Sequence, residues 1–297
     1  MSGHGSAGEP ASAPPPGAAA TNTTRGRLVL VPNTLDLGAT PQDLAAVLPP
    51  AVLQWAARLQ HWIVEDAKSA RAFLKRVHEV VPLQAPLQAL SIVELPRPAK
   101  GAGGAKTTTR TAAGHATGST GAAAASQQAA HCLAPALAGH DIGLLSEAGL
   151  PAVADPGAAV VAVAHTLGVP VLALPGPSSL MLALAASGLD GQSFAFVGYL
   201  PQEAGARRER IHELEVTSRR GRQTQIFIET PYRNAALFAA LLDSAAPTTR
   251  LSISVALTLP EGWSRTATIA HWRAEVHRAA PAALLPDRLP AVFLLQA

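Results

Sequence analysis

Residues 146–157 read SEAGLPAVADPG, and their reading decides the fold. The stretch follows a short apolar run, DIGLL (141–145), and gives way to a second, AAVVAVAHTLG (158–168). Two glycines, two prolines and two acids fall within these twelve residues, so a buried strand ends in dense turn chemistry and a helix begins at once. That is the signature of a βα unit. Asp155 reads as the N-cap of the helix, Pro156 as its first residue and Gly168 as its stop. Helix initiation does not account for SEAGLP. Those residues lie at the carboxyl end of a strand, the rim where an open parallel sheet binds ligands. Gly149 there permits a positive φ or a close approach of backbone to a ligand.

The arrangement recurs at VPVLALPGPSS (169–179), where a strand and a Pro-Gly-Pro turn lead to Ser178 or Ser179 as N-cap. LVPNT (30–34) and IVED (63–66) end two further strands. Working outward, RLVLVP (27–32), HWIVED (61–66), a short strand within LQALSIVEL (87–95), DIGLLSE (141–147) and VPVLALPG (169–176) read as strands. Helical spacing runs through KSARAFLKRVHEV (68–80), DPGAAVVAVAHTLG (155–168) and PSSLMLALAASG (177–188). PQDLAAVLPPAVLQWAARL (41–59) is helical but interrupted at Pro49-Pro50. Strands alternating with helices predict a parallel sheet with uniformly apolar strands. After about residue 190 the texture changes. FAFVGYL (194–200), TQIFIET (224–230), RLSISVALT (250–258), GWSRTATIAHW (262–272) and AVFLLQA (291–297) read as five strands, with helices only after the first two. The prediction is an α/β chain of two domains, a parallel-sheet domain over 26–190 and a mixed-sheet domain over 191–297.

Two stretches stand outside this pattern. Residues 1–25 are rich in Ala, Gly, Pro and Ser and read as a disordered tail. Residues 97–130 lack periodicity and bulky side chains and read as a flexible insertion. His115 and His131 flank no partners at metal-ligand spacing, so no metal is expected.

Composition narrows the function classes. The chain of 297 residues is 48% hydrophobic, much of it alanine, with only 12 Phe, Trp or Tyr. So few aromatics argue against a platform for stacking single-stranded bases. A net charge of +3 and a pI near 9.4 permit a polyanionic partner without demonstrating one. One cysteine, Cys132, makes no intramolecular disulfide and suits a reducing compartment. The N-terminus lacks the basic start and apolar middle of a signal peptide. The apolar region 157–189 is broken by His165, Gly168, Pro170 and the Pro175-Gly176-Pro177 turn. A soluble cytoplasmic protein is expected. There is no G-x-x-x-x-G-K-[ST] and no G-x-G-x-x-G after a strand, which disfavours phosphate-loop and dinucleotide sites.

LVLVPN, WIVED, LLSEAGLPAVADPG, LALPGPSS, FAFVGYLP with an arginine-rich helix behind it, and IFIETPYR occur in that order. Together they resemble the tetrapyrrole methylase superfamily of S-adenosyl-L-methionine-dependent methyltransferases, and within it the ribosomal RNA small subunit methyltransferase I family. The likeness spans roughly residues 27–297 apart from the insertion. It implies a homodimer of two-domain α/β chains with the cofactor, S-adenosylmethionine, in the cleft between domains. Pro32, Ala148, Gly149, Val153, Ala154, Ser178 and Ser179 would line the cofactor site, and Thr230 and Leu257 would close it. The chemistry implied is methyl transfer to a ribose 2′-hydroxyl of small-subunit ribosomal RNA, for which a positioned base helps. Glu65 and Asp66 are the best acids on the rim, with capping of the next helix as their alternative role. Glu229 and Arg233 stand at i, i+4, where an ion pair is the alternative to substrate contact. Arg207, Arg208 and Arg210, in the basic stretch 206–222, are candidate phosphate contacts.

The chain also departs from the family's patterns. The family's AEDTR stands here as VEDAKSAR, with Ala67 for the threonine and Lys68 for the arginine, which keeps charge and loses the planar fork. SIVELPRPAKG replaces a His- and Asn-containing motif, NTLDLG lacks the usual Gly-Asn, and VALTLPEG replaces an R-E-L-T-K-like segment. The cofactor half of the pattern is intact and the substrate half is eroded. A methyltransferase of the same fold acting on a small molecule, or a non-catalytic binder of S-adenosylmethionine, are the alternative readings.

Overall fold

The computed structural model describes residues 25–36, 43–95, 119–278, 285 and 288–297. The first sheet is built from β1 (Leu28–Leu30), β2 (His61–Val64), β3 (Ser91–Glu94), β4 (Ile142–Leu145) and β5 (Val171–Ala173). Around it lie α1 (Leu44–Val47), α2 (Pro50–Arg58), α3 (Ala67–Val80), α4 (Ser119–Cys132), α5 (Ala134–Leu137) and α6 (Ala158–Thr166). Then α7 (Ser179–Ser187) leads to the second sheet, of β6 (Phe194–Tyr199), β7 (Thr224–Ile228), β8 (Arg250–Val255), β9 (Trp263–Thr268) and β10 (Ala291–Gln296). Its helices are α8 (Ala204–Gly221), α9 (Asn234–Ser244) and α10 (Ile269–Val276). The two-domain α/β architecture expected from the sequence is the one observed.

The first sheet is wholly parallel, in the order β3-β2-β4-β1-β5. Side chains alternate across it. Val29, Trp62 and Val64 face Leu53, Phe73 and Leu74 of α2 and α3. Leu28, Ile63, Ile142 and Leu144 face Val160 and Ala164 of α6. Both faces of the central strands β1, β2 and β4 are covered, which is why these show no polar alternation, while the edge strand β3 is largely exposed. The second sheet is mixed, in the order β6-β7-β10-β8-β9, with β6 parallel to β7 and the other pairs antiparallel. Phe227, Ile253 and Phe293 face Ile211 of α8, Phe238 of α9 and Trp272 of α10. Ile226, Val292 and Leu294 point the other way, onto Leu180, Ala183 and Leu184 of α7. So α7, which follows β5 in sequence, roofs the second sheet.

Four expectations are corrected. The strand read over 262–272 stops at Thr268, whose hydroxyl accepts from His271 N at 3.2 Å and starts α10. The strand read over 250–258 stops at Val255, because Ala256 and Thr258 adopt positive φ. Residues 119–130, read as flexible, belong to α4, where an alanine-rich run has high helix propensity. The rest of that insertion, 97–118, and the tail to residue 24 lie outside the described residues. Finally, α6 begins only at Ala158 with Gly157 in the N-cap position, so Asp155 does not cap it. Ala152 and Ala154 take left-handed conformations, at φ +65° and +63°, and these extra turns carry the chain past Asp155 before the helix starts. Gly168 follows the end of α6 with φ +66°, as expected. Among the described residues no helix is long and apolar enough to cross a membrane.

Candidate active site between the two sheets

The connection from β1 runs to β2 on one side of the parallel sheet, and the connection from β4 crosses to β5 on the other. Strand order therefore reverses between β1 and β4, and an open α/β sheet has its crevice at such a switch point. Two loops meet there. Asn33, buried just past β1, donates its side-chain amide to the carbonyls of Ser146 and Glu147 at 3.1 and 3.0 Å. Asn33 N donates to Gly149 O at 2.9 Å and Gly149 N to Thr34 O at 3.2 Å. Further along, the Thr34 hydroxyl donates to Asp36, which pairs with Arg76 of α3 at 2.9 Å. Sequence reasoning missed Asn33, Asp36 and Arg76; an amide directly after a strand end was the only visible signal.

Gly149 is buried at φ +66°, and a Cβ there would meet Leu35 and the Pro177 carbonyl at 3.3 and 3.4 Å. The neighbouring LPGPSS loop is tighter still. A Cβ on Gly176 would stand 2.2 Å from Cβ of Pro32, so the loops after β1 and β5 touch through the missing side chain. Ser178 occupies the N-cap position of α7, but its hydroxyl makes no capping bond.

A cavity of about 150 Å³ opens between these loops and the second sheet. Ala148, Ser179 and Leu35 line it from one side, and Glu229, Ser254 and Leu257 from the other. Of the residues expected to hold a cofactor, Ala148, Ser179 and Leu257 are thus brought together. Gly149, Pro32 and Ser178 lie buried behind them, while Val153 and Ala154 are exposed at the tip of the loop. Thr230 stays beside the cavity, its N–H and hydroxyl both donating to Glu229 Oε1, at 2.8 and 3.2 Å. The turn after β8 carries Leu257 between two residues of positive φ, Ala256 and Thr258. Two loops with non-glycine residues in left-handed conformations thus border one cavity, and such backbone is concentrated at functional sites.

The rim is acidic. Glu65 follows β2 and accepts from Glu147 N at 3.2 Å. Asp66 is the N-cap of α3, accepting from Ser69 N at 2.8 Å. Asp155 is pushed up to about 7 by burial and by the charges of Glu65 and Glu147. Across the cleft, burial raises the Tyr199 phenol, helped by Glu229, Asp155 and Glu65. Asp155 is thus a rim carboxyl whose charge changes near neutrality. Glu229 and Arg233 form the i, i+4 pair, at 2.8 Å with the carboxylate nearly fully buried. Lys68 is exposed in the first turn of α3. On α8, Arg208 is exposed, Arg210 pairs with Glu213 at 2.8 Å, and Arg207 reaches the Gln202 carbonyl at 3.4 Å.

Comparison with known proteins bears on this geometry. The sequence profile of the tetrapyrrole (corrin/porphyrin) methylases matches residues 67–271. The chain belongs to the tetrapyrrole methylase family. A stretch of 107 residues is 41% identical to the ribosomal RNA small subunit methyltransferase I of Vibrio cholerae serotype O1, covering 36% of each chain. A stretch of 131 residues is 36% identical to the ribosomal RNA small subunit methyltransferase I of Mesorhizobium japonicum, covering 44% of this chain and 43% of that one. The matched stretches thus span less than half the length of these relatives. Among solved structures, a conserved hypothetical protein of Aeropyrum pernix K1 shares the fold with this tetrapyrrole methylase over 92% of this chain and 85% of its own. Its TM-score is 0.51 at 14% identity.

Proposed function

We propose that the protein is an S-adenosylmethionine-dependent methyltransferase that acts, as a homodimer in the cytoplasm, on a ribose 2′-hydroxyl of small-subunit ribosomal RNA. The observation that carries the reading is the cavity at the β1/β4 switch point, bordered by small residues and left-handed backbone, in a member of a methylase family. The residues present suit the cofactor. Its sulfonium and amino groups are cationic, and Glu65, joined by Asp155 in its ionised form, supplies negative charge at the rim. Ala148, Gly149 and Ser179 would hold it from one side, Thr230 and Leu257 from the other. The cavity is smaller than the roughly 300 Å³ at which ligand pockets begin, so binding is accompanied by movement of the bordering loops.

When bound, S-adenosylmethionine supplies an electrophilic methyl group. Asp155 accepts the proton of the acceptor hydroxyl. A carboxylate poised near neutrality is matched to that task, and Glu65 and Glu147 keep it poised. Asp66 secures α3 and thereby the end of β2. Arg207, Arg208 and Lys68 meet RNA phosphates, while Arg210 and Arg233 would have to leave their carboxylates to do so. Exposed Phe194 and Phe196 on the edge strand β6 supply apolar surface for a second copy.

The test is transfer of labelled methyl groups from S-adenosylmethionine to small ribosomal subunits from a strain lacking this gene, with cofactor binding measured alongside. Label mapped to one ribose supports the proposal in full. Cofactor binding without label on RNA overturns the acceptor, and absence of cofactor binding overturns the site.

A further inference from the structure

The carboxyl ends of the parallel strands carry the cleft; their amino ends carry a second concavity. Arg27 immediately precedes β1, His61 opens β2 and Asp141 precedes β4. Parallel strands bring these three positions to one end of the sheet. Together with Arg25, Arg58 and His140 they line a cavity of about 730 Å³, within the size range of small-molecule sites.

Its charge is lopsided. Three arginines and two histidines face one carboxylate. Asp141 is already engaged, accepting from Arg27 N, Nε and Nη2 at 2.8, 3.1 and 2.8 Å. Arg58 lies over the Trp55 ring, 3.1 Å from its centroid, and Arg27 approaches the same ring at 4.7 Å. One indole thus contacts two guanidiniums, both on residues exposed to solvent. Among the described residues no ion pair engages Arg25 or Arg58; Arg25 Nη1 donates to the Leu167 carbonyl at the end of α6. The His61 and His140 rings stand 5.2 Å apart, and His61 Nδ1 is buried without a hydrogen-bond partner. An unmet buried polar atom within a pre-positioned cationic cluster is the arrangement that an anion completes.

We propose that this basin binds a phosphate group, with Arg58 and Arg25 as its main charge partners and the His61–His140 pair as donors. Planar guanidiniums match phosphate oxygens in a two-pronged geometry that lysine lacks. The phosphate belongs either to a polynucleotide backbone or to a small phosphorylated molecule, and both present anionic non-bridging oxygens to the guanidiniums. Burial and the facing His140 hold His61 below its ordinary value. The groups around His61 are His140, Asp141, Arg25, Arg27 and Arg58, and a bound anion offsets the cationic excess among them. An anion beside His61 favours its protonated form, so binding of the RNA probe, whose phosphodiester charge is constant over this range, is stronger at pH 6 than at pH 8.

The test titrates the full chain with pyrophosphate and, separately, with a short single-stranded RNA, at pH 6 and pH 8, by calorimetry. Saturable binding is expected for at least one probe, weakened about tenfold by Arg58→Gln, the equivalent of one charge-assisted hydrogen bond. His61→Gln should flatten the pH dependence. Pyrophosphate binding that RNA does not displace identifies a small phosphorylated ligand; RNA binding sensitive to Arg58→Gln identifies a polynucleotide. Thermal melting and S-adenosylmethionine binding are followed in each variant, so loss of fold or of the cleft is told apart from loss of this site. No saturable binding of either probe, or affinity unchanged in Arg58→Gln and Arg25→Gln, overturns the proposal.

Discussion

The side-chain amide of Asn33 donates to the carbonyl oxygen of Glu147 across a sequence separation of 114 residues, at 3.0 Å. With its second bond to Ser146 it sutures the loop after β1 to the loop after β4 at the point where strand order reverses. Replacing Asn33 by alanine leaves the buried Ser146 carbonyl without this partner, at about 1–3 kcal/mol, and loosens the more exposed Glu147 carbonyl. Asn33→Ala should lower stability in urea denaturation and weaken S-adenosylmethionine binding. Unchanged affinity in a folded variant would remove this suture from the site.

Asp155 gives a pH signature. A carboxyl whose value rises from 3.8 to about 7 on folding holds its proton more tightly in the native state. Stability from that group is therefore complete below the lower value and is lost as pH climbs through the upper one. Asp155→Asn removes the dependence, so its stability relative to wild type should grow between pH 4 and pH 8. Methyl transfer should run the other way. The wild-type rate rises as Asp155 ionises near pH 7, and Asp155→Asn loses about a hundredfold or more, the usual contribution of a positioned base. An Asp155→Asn enzyme with an unaltered pH–rate profile would assign the proton to another group.

Gly176 and Pro32 test the contact between loops. Gly176→Ala places a methyl group 2.2 Å from Pro32 Cβ, so one loop must shift. Overpacking of this kind costs about 1–3 kcal/mol, and cofactor affinity should fall with it. Gly149→Val adds positive-φ strain at the cavity wall and should abolish cofactor binding while melting cooperatively. Binding that survives both changes would place the cofactor elsewhere.

Glu229 and Arg233 separate structure from recognition. Arg233→Ala leaves a nearly buried carboxylate unpaired, and breaking such a pair costs about 3–5 kcal/mol. Glu229→Gln combined with Arg233→Met should recover much of that loss. If instead Arg233 acts mainly on RNA, the double variant will be stable and still fail on ribosomal subunits. Arg208→Ala, exposed on α8, should weaken transfer to subunits and flatten its salt dependence without touching cofactor affinity.

Much of the fold and of the loops around the cavity is legible in the sequence, for identifiable reasons. Strands covered on both faces print uninterrupted apolar runs, so IGLL and LVL announce themselves. Turn residues crowd SEAGLP and LPGPSS because both loops turn sharply at the rim. Asp155 misled because ADPG is also a good helix start, and the left-handed turns at Ala152 and Ala154 carry no mark in the sequence, alanine being indifferent to look at. The suture by Asn33 is long-range and invisible to local pattern. The strand read through IAHW overran the helix start, although Ile269 and Trp272, both buried, stand at i, i+3, a spacing that shares a face only in a helix. SLMLALAAS is apolar all round, so nothing in it said which sheet α7 would cover.

That placement of α7 changes what a break in the chain would do. The exposed connection at Gly191 separates the two sheets along the sequence, yet a protease nicking it would not release two pieces. The first fragment would keep α7 inserted over Ile226, Val292 and Leu294 of the second. Hydrogen bonds from the Thr266 hydroxyl to Ser187 O at 2.6 Å and from the Thr224 hydroxyl to Asp190 O at 2.8 Å would add to that grip. The nicked protein should elute as one particle until denatured, and halves expressed separately and cut at this point should find each other. The covalent joint between the first sheet and α7 lies earlier, in the proline-stiffened Leu174–Ser178 link, directly before the cavity-lining Ser179.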